Sequence, residues 1–559
     1  MKFRNLVFTF LIFNISISYA QIISIPQDYP TIQQGIDTAS NGDTVLVAPG
    51  IYFENIKCSS KNIVLASHYL FDNDTNTISN TIIDGSQMSS VIKLFNTDTS
   101  FRLIGFTITN GYTNWGGGGI FINHSFGTLQ DLIVENNTAY EYGGGIYIAD
   151  GSPSKIRMLN IKILNNFSDK AGGGLAIYSY TLNAWSTIRA DNIIVKGNST
   201  GAGQLGLGGG IAIRAGHLYL NNSTIQDNSA EWGGGIYFRP EGYFNLNNVK
   251  INNNIATKYG GGIYSEYSFL EFNNTEITNN IANKGGGLSI ITPLRFENFK
   301  NLLIADNHAH DKGGGVYLIN GIFETTNSTF ANNTAEYGSC IYVGNLKLDL
   351  KNSILFGFDK PQQIYCDSED DSCFITINHS LIQGGKYYIE TNDNAQINWL
   401  EGNINRNPEY VESGEFPYQI NDNSPCIDAG SNDTTGITEF DLAGNLRFVN
   451  SRIDMGAYEW DIFVGSSENN DFTDSKNIIT YPNPARTKVS IDISNYDGNT
   501  LEINIYDING KLVRSETSET DKSSSLIVTI PISNIQNGLY LLEIKQSDKN
   551  YYGKFVVER

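Results

Sequence analysis

Three groups of residues in this 559-residue chain have types and spacings that could do chemistry. The carboxylates Asp367, Asp370 and Asp371 crowd the stretch between Cys366 and Cys373. Such a loop could contribute to a Ca²⁺ site, although Ca²⁺ takes about six to eight oxygens converging from several segments, and a solvated acidic loop is the plainer reading. The two cysteines flank the loop closely enough to close it as a disulfide. His308 and His310 stand two apart and could face one metal from a strand, but the run falls in the turn before Gly313 and its Asp306-Asn307 belongs to the repeated Asn pairs, so a structural role is the plainer reading. Finally, Trp115, Tyr142, Trp232, Tyr259 and Tyr337 each precede a run of glycines, with Lys284 and Lys312 taking that place between the last two. A stripe of aromatics offers flat apolar faces on which sugar rings stack; it would equally serve to seal a groove. Tyr147, Tyr237, Tyr264, Tyr317 and Tyr342 form a second ladder of the same kind, just after the glycines.

The elements that carry these residues follow from the glycines themselves. Runs of three glycines followed by Ile, Leu or Val end at Gly119, Gly145, Gly174, Gly210, Gly235, Gly262, Gly287 and Gly315, with a degenerate Gly338-Ser339-Cys340 after them, so the steps are 25 to 36 residues. A fixed period of that size marks a solenoid, and its scatter marks loops of variable length. Before the glycines comes a second signal: Asn136-Asn137, Asn165-Asn166, Asp227-Asn228, Asn253-Asn254, Asn279-Asn280, Asp306-Asn307 and Asn332-Asn333. After them, Ile146-Tyr147-Ile148 and its equivalents alternate with period two, as strands do. In stacked coils each position sits on copies of itself. Asn can stack through side-chain amides and tolerates left-handed backbone, while glycine admits positive φ and close approach of coils. Cys340, in the place of a third glycine, reads as a small buried residue.

Composition narrows the rest. A net charge of −21 disfavours nucleic acid or an anionic membrane face as partner, because phosphate binding wants clustered Lys and Arg. Residues 1–20, with Lys2 and Arg4 before an apolar run and small residues at the end, read as a signal peptide, and no stretch is long enough to be a transmembrane span. Ile32, Ile36 and Ala39 lie at helical spacing within residues 29–40, predicting a short amphipathic helix that covers the first coil.

Residues 25–36, with Gly42-Asp43-Thr44-Val45-Leu46-Val47-Ala48-Pro49-Gly50-Ile51-Tyr52, resemble the start of pectate-lyase-like β-helix proteins. The resemblance implies an all-β chain built as a right-handed parallel β-helix over residues 21–460, a fold shared by polysaccharide lyases, esterases and non-enzymatic adhesins. Residues 407–460, through Ser424-Pro425-Cys426-Ile427-Asp428-Ala429-Gly430 and Asp454-Met455-Gly456-Ala457-Tyr458-Glu459, resemble the terminal segment of bacterial β-helix repeat proteins, and read as the last coils and their cap. The fold alone fixes no activity. Asn96-Thr97-Asp98 is a fragment of the polygalacturonase pattern, but Gly216-His217 is followed by Leu218 and the paired aspartates are missing.

A polar linker, residues 461–477, precedes strands expected near 489–493, 501–505, 526–530 and 540–544, a small C-terminal β-sandwich over residues 478–559. This part resembles the sorting domain of the type IX secretion system of Bacteroidetes, through Tyr481-Pro482-Asn483-Pro484, Asn537-Gly538-Leu539-Tyr540 and the closing Lys554-Phe555-Val556-Val557. Pro482, Asn483, Pro484, Gly538, Tyr540 and Lys554 would then serve sorting, with the secretion machinery as partner and a secreted or outer-surface destination. Two functions stay open for the β-helix: an adhesin-like surface that binds polysaccharide or a cell-surface glycan, or a lyase or hydrolase acting on uronate-containing polysaccharide. For a lyase, a Lys or Arg base would act while Ca²⁺ neutralises the uronate.

Overall fold

The computed structural model describes residues 20–557 except 150–152, 179–184, 202–205, 240–241, 293–296, 358–361, 369–372, 393–394, 432, 434–435, 449–451, 461–475, 478–479, 482–484, 497–500, 508–510, 519–522 and 547–548. The signal peptide, Asp370, Asp371, Pro482, Asn483, Pro484 and most of the linker therefore lie outside the described residues. The chain divides into two compact units, Met1–Asp461 and Ile462–Arg559.

The first unit is a right-handed β-solenoid of about 13 turns. One coil shows how its sequence dictates it. The strand Ile263–Glu266 ends at a left-handed residue, Tyr267; the strand Phe269–Thr278 bends midway at Asn274 and stops at Asn279; Ile281–Lys284 then leads into Gly285. Ile263, Leu270, Phe272, Ile277 and Ala282 point inward and are buried. No coil can bury these side chains by itself; stacking does it. Ile146, Leu175, Ile211, Ile236, Ile263, Leu288, Val316 and Ile341 stand in one parallel register and are at most 3% exposed.

The second residue of each Asn pair forms an internal amide ladder. Asn254 Nδ2 donates to Asn280 Oδ1 at 3.0 Å and to the Ile225 carbonyl at 3.0 Å, while its own Oδ1 accepts the backbone N–H and the Nδ2 of Asn228 at 3.0 and 2.9 Å. The same bonds run from Asn137 through Asn166, Asn198, Asn228, Asn254, Asn280 and Asn307 to Asn333. The first residue of each pair does a different job: it turns the chain at a φ between 51° and 57°. Asn198 belongs to the ladder although Gly197 precedes it, because Gly197 supplies the same left-handed turn at φ 68°.

Two glycine positions show why the run is glycine. Gly260 has φ 65°, and a Cβ on it would lie 2.2 Å from the Ile263 carbonyl oxygen; a Cβ on Gly262 would lie 2.6 Å from the Gly287 oxygen of the next coil. At the last glycine coil Cys340 fits, buried, with Sγ 2.8 Å from Gln363 Oε1. Burial raises its thiol pKa.

At the N-terminal end the helix Ile32–Thr38 is capped by Thr31, whose hydroxyl accepts from Gln34 N at 3.2 Å, and it buries Ile32 and Ile36. Residues 407–460 run along the flank of the late coils as an irregular strap, not as further coils. Gly456 N donates to the Asn352 carbonyl, Ala457 N to Thr329 Oγ1, and Arg447 Nη2 to Asn301 Oδ1 at 2.6 Å, so the strap crosses three successive coils. Wholly buried, Arg447 pairs with Glu459 at 2.7 Å and donates to the carbonyls of Gly456 and Ala457.

The second unit holds two small sheets. Thr480–Tyr481, Lys488–Tyr496 and Ser523–Pro531 form one; Lys476–Asn477, Leu501–Asp507, Leu512–Ser518, Gly538–Gln546 and Lys549–Val557 form the other. Their inward residues Val489, Ile491, Ile503, Ile505, Ile530, Leu542, Ile544 and Phe555 make one core. Gly538 opens a strand, and Tyr540 stacks on Phe555 at 5.8 Å while its hydroxyl donates to the Gln536 carbonyl at 2.9 Å. Lys554 lies on the closing strand.

Candidate functional site

Two columns of side chains meet where the glycine corner folds the chain back on itself. The first, on the outer side of the short strands, reads Phe121, Tyr147, Ala176, Ala212, Tyr237, Tyr264, Ser289, Tyr317, Tyr342 and Tyr365 in register. The second, just before the glycines, reads Gly116, Tyr142, Ala171, Leu207, Trp232, Tyr259, Lys284, Lys312 and Tyr337. Rings stack along and between them: Trp232 on Tyr259 at 4.7 Å, Tyr237 on Tyr264 at 5.4 Å, Tyr317 on Tyr342 at 5.2 Å, and Trp232 edge-on to Tyr264 at 5.0 Å. Trp115 stands one residue out of this register, since Gly116 occupies the column; it is 51% exposed and meets Tyr142 edge-on at 6.4 Å. Tyr337, at the other end, lies against Tyr365 at 5.2 Å.

The stripe is not continuous. Ala171 and Leu207 in one column and Ala176 and Ala212 in the other replace four rings, and beside this gap lies a groove of about 620 Å³. Tyr178, Leu207, Trp232, Tyr259, Arg214 and Arg239 are among its walls. The strand ends position its charges. Tyr178 and Arg214 are in register, and the Arg214 guanidinium lies 5.5 Å from the Tyr178 ring. Arg239 Nε is 3.1 Å from Glu266 Oε2, which also accepts the Tyr264 hydroxyl at 2.8 Å. Burial pushes the Tyr237 phenol up to about 12 and raises that of Tyr264, helped there by Glu266. These phenols stay neutral at physiological pH and act as hydrogen-bonding groups, not as bases. The arrangement can stack a flat apolar ring, hydrogen-bond hydroxyls and face an anion with Arg214.

Farther along the columns, Lys312 Nζ is 2.8 Å from Tyr342 Oη, which donates to Asp367 Oδ2 at 2.5 Å. Burial, then Asp367, raises the Tyr342 phenol. Asp367 also accepts from Asn392 at 3.1 Å and lies 3.5 Å from Lys312. The Cys366–Cys373 disulfide closes its loop. Among the described residues no three His, Cys, Asp or Glu side chains converge as a metal site. His308 Nε2 and His310 Nδ1 lie 3.1 Å apart, and His308 Nδ1 bonds Thr334. His217 Nδ1 accepts from Tyr243 N in a strand.

Tyr178, Arg214, Arg239 and Glu266 belong to no motif, yet the sequence carries a signal for them: each stands four residues after a third glycine, at Gly174, Gly210, Gly235 and Gly262.

Residues 118–293 match the family described as the right handed beta helix region, and residues 479–558 match the secretion system C-terminal sorting domain. The chain is thus a right-handed β-helix protein with a C-terminal sorting domain. That domain marks export through the type IX secretion system to the cell surface or the extracellular space, and among the described residues no helix is long and apolar enough to cross a membrane. No curated protein matches the chain. Among solved structures, a mannuronic acid specific polysaccharide family 6 lyase from human gut microbiota is similar at 11% identity over 68% of this chain and 92% of that one, with a TM-score of 0.28.

Proposed function

We propose that this exported β-helix binds polysaccharide without cleaving it, in the groove walled by Tyr178, Trp232 and Tyr259. The observation that carries this reading is the groove itself: a hollow of about 620 Å³ walled by Tyr178, Trp232, Tyr237, Tyr259 and Tyr264, with Arg214, Arg239 and Glu266 among the same lining. Trp232 and Tyr259 offer stacking faces, neutral phenols offer hydrogen bonds, and Arg214, which no carboxylate pairs among the described residues, offers a charge. Elimination on a uronate-containing polysaccharide is the alternative, with Lys312, Tyr342 and Asp367 as its best-placed groups. Incubation of the full chain with a panel of neutral and uronate-containing polysaccharides, with and without Ca²⁺, separates the two. Retention without any rise in ultraviolet absorbance supports binding; appearance of unsaturated products sinks it.

A further inference from the structure

We infer that a second ligand surface, on the face beyond the bends at His124, Ala215 and Tyr267, binds sulfate esters of a polysaccharide through a ladder of arginines. On this face one column of the long strands reads Arg102, Thr128, Arg157, Arg189, Tyr219, Asn245 and Glu271, all in parallel register. Arg102, Arg157 and Arg189 are exposed, and Lys155, two residues before Arg157, is exposed on the same side of its strand. Arg157 and Arg189 are direct neighbours across adjacent coils, about 4.8 Å apart along the stack.

Like charges directly opposite in a sheet are destabilising. Here no carboxylate offsets the cost: among the described residues none pairs with Lys155, Arg157 or Arg189, although the chain carries a net charge of −21. The acids of the same column are handled differently. Glu271 accepts from Tyr243 and Asn245, while Glu324 and Asp349 share Lys347 at 3.8 and 2.6 Å. The cations are thus left without an ion-pair partner where each of these acids has a polar or cationic one. Arg189 lies 4.3 Å over the Tyr219 ring, which holds its planar donor fork. Two such forks one coil apart suit an anion with three terminal oxygens better than a carboxylate, whose two oxygens complete a single fork. A sulfate ester has the three, and stays ionised across the whole range in which arginine does.

This surface does not depend on the aromatic groove, which faces another side. The test uses the full chain and dextran sulfate, with uncharged dextran and carboxymethyl dextran of equal charge density as comparisons. Wild type should bind dextran sulfate more tightly than carboxymethyl dextran, in a salt-sensitive way. R157Q/R189Q should weaken binding about tenfold or more. K196Q/K250Q, which removes the same charge from lysines paired with Asp227 and Glu276, should leave it within about twofold. R157Q/R189Q should also be at least as resistant to heat as wild type without ligand, because the repulsion is gone. Equal loss in both double variants, equal affinity for the carboxymethyl polymer, no binding by wild type, or a lowered melting temperature for R157Q/R189Q would each overturn the assignment.

Discussion

The two asparagines of one repeat should respond to substitution for different reasons and to different extents, although they are adjacent and chemically identical. Asn254→Ala removes an amide that is fully buried and makes four hydrogen bonds: two donated, to Asn280 and to the Ile225 carbonyl, and two accepted, from Asn228. The Ile225 carbonyl loses this donor and the Asn228 backbone N–H loses its acceptor, at about 1–3 kcal/mol for each buried polar group left unsatisfied. The expected loss is therefore about 2–6 kcal/mol. Asn253 is exposed and sits at φ 55°, so its role is conformational. Asn253→Gly should be nearly neutral, and Asn253→Ala should cost about 1–3 kcal/mol through left-handed strain alone. Denaturant unfolding measures the global effect, and amide exchange locates it: the Asn228 amide should lose protection in Asn254→Ala and keep it in Asn253→Ala. If Asn254→Ala cost less than Asn253→Ala, or the Asn228 amide kept its protection, the ladder argument would be wrong.

Four further outcomes follow from the same geometry. Gly262→Ala should destabilise the solenoid at once, since its Cβ meets backbone of the next coil at 2.6 Å, and circular dichroism melting reads it. In the strap, burial raises the Glu459 carboxyl to about 8 and that of Asp454 to about 6. Each folded pKa lies above the unfolded one, so this contribution to stability is full below about pH 4 and is lost as pH rises through 6 and then 8. Exchange of strap amides should therefore accelerate from pH 5 to 8 after correction for intrinsic rates, and Glu459→Gln should flatten that trend. Alkylation in denaturant without reductant should modify three of the five cysteines, Cys58, Cys340 and Cys426, with mass spectrometry as the count. Deleting residues 478–559 should leave the protein in the periplasm, detected by fractionation and blotting; normal release would count against the sorting role.

The solenoid was legible because its physics is one-dimensional: a residue that stacks on its own copy must recur, so glycines and asparagines announce both period and strand direction. The exceptions have physical causes. Asn198 escaped because Gly197 makes the same turn as an asparagine without looking like one. A second left-handed series, Asn160, Asn192, Asn222, Asn248, Asn274 and Asn301, lies inside long strands, where an alternating pattern conceals a bend. Trp115 precedes four glycines, and only the backbone register shows which of them begins the run. The groove was least legible of all. Its walls come from several coils, from Tyr178 to Ile291, and no single repeat contains that information. The flank position of residues 407–460 likewise depends on Arg447 reaching Asn301, far back in the chain.

The claim that the aromatic groove is the polysaccharide site is tested most directly by the equilibrium affinity of the full chain for a polysaccharide it retains, compared with W232A/Y259A. Each ring should be worth about 0.5–1.5 kcal/mol of stacking, so the double variant should bind roughly 5- to 150-fold more weakly while remaining folded at the temperature of the assay. Undiminished affinity in a folded W232A/Y259A protein would contradict the account.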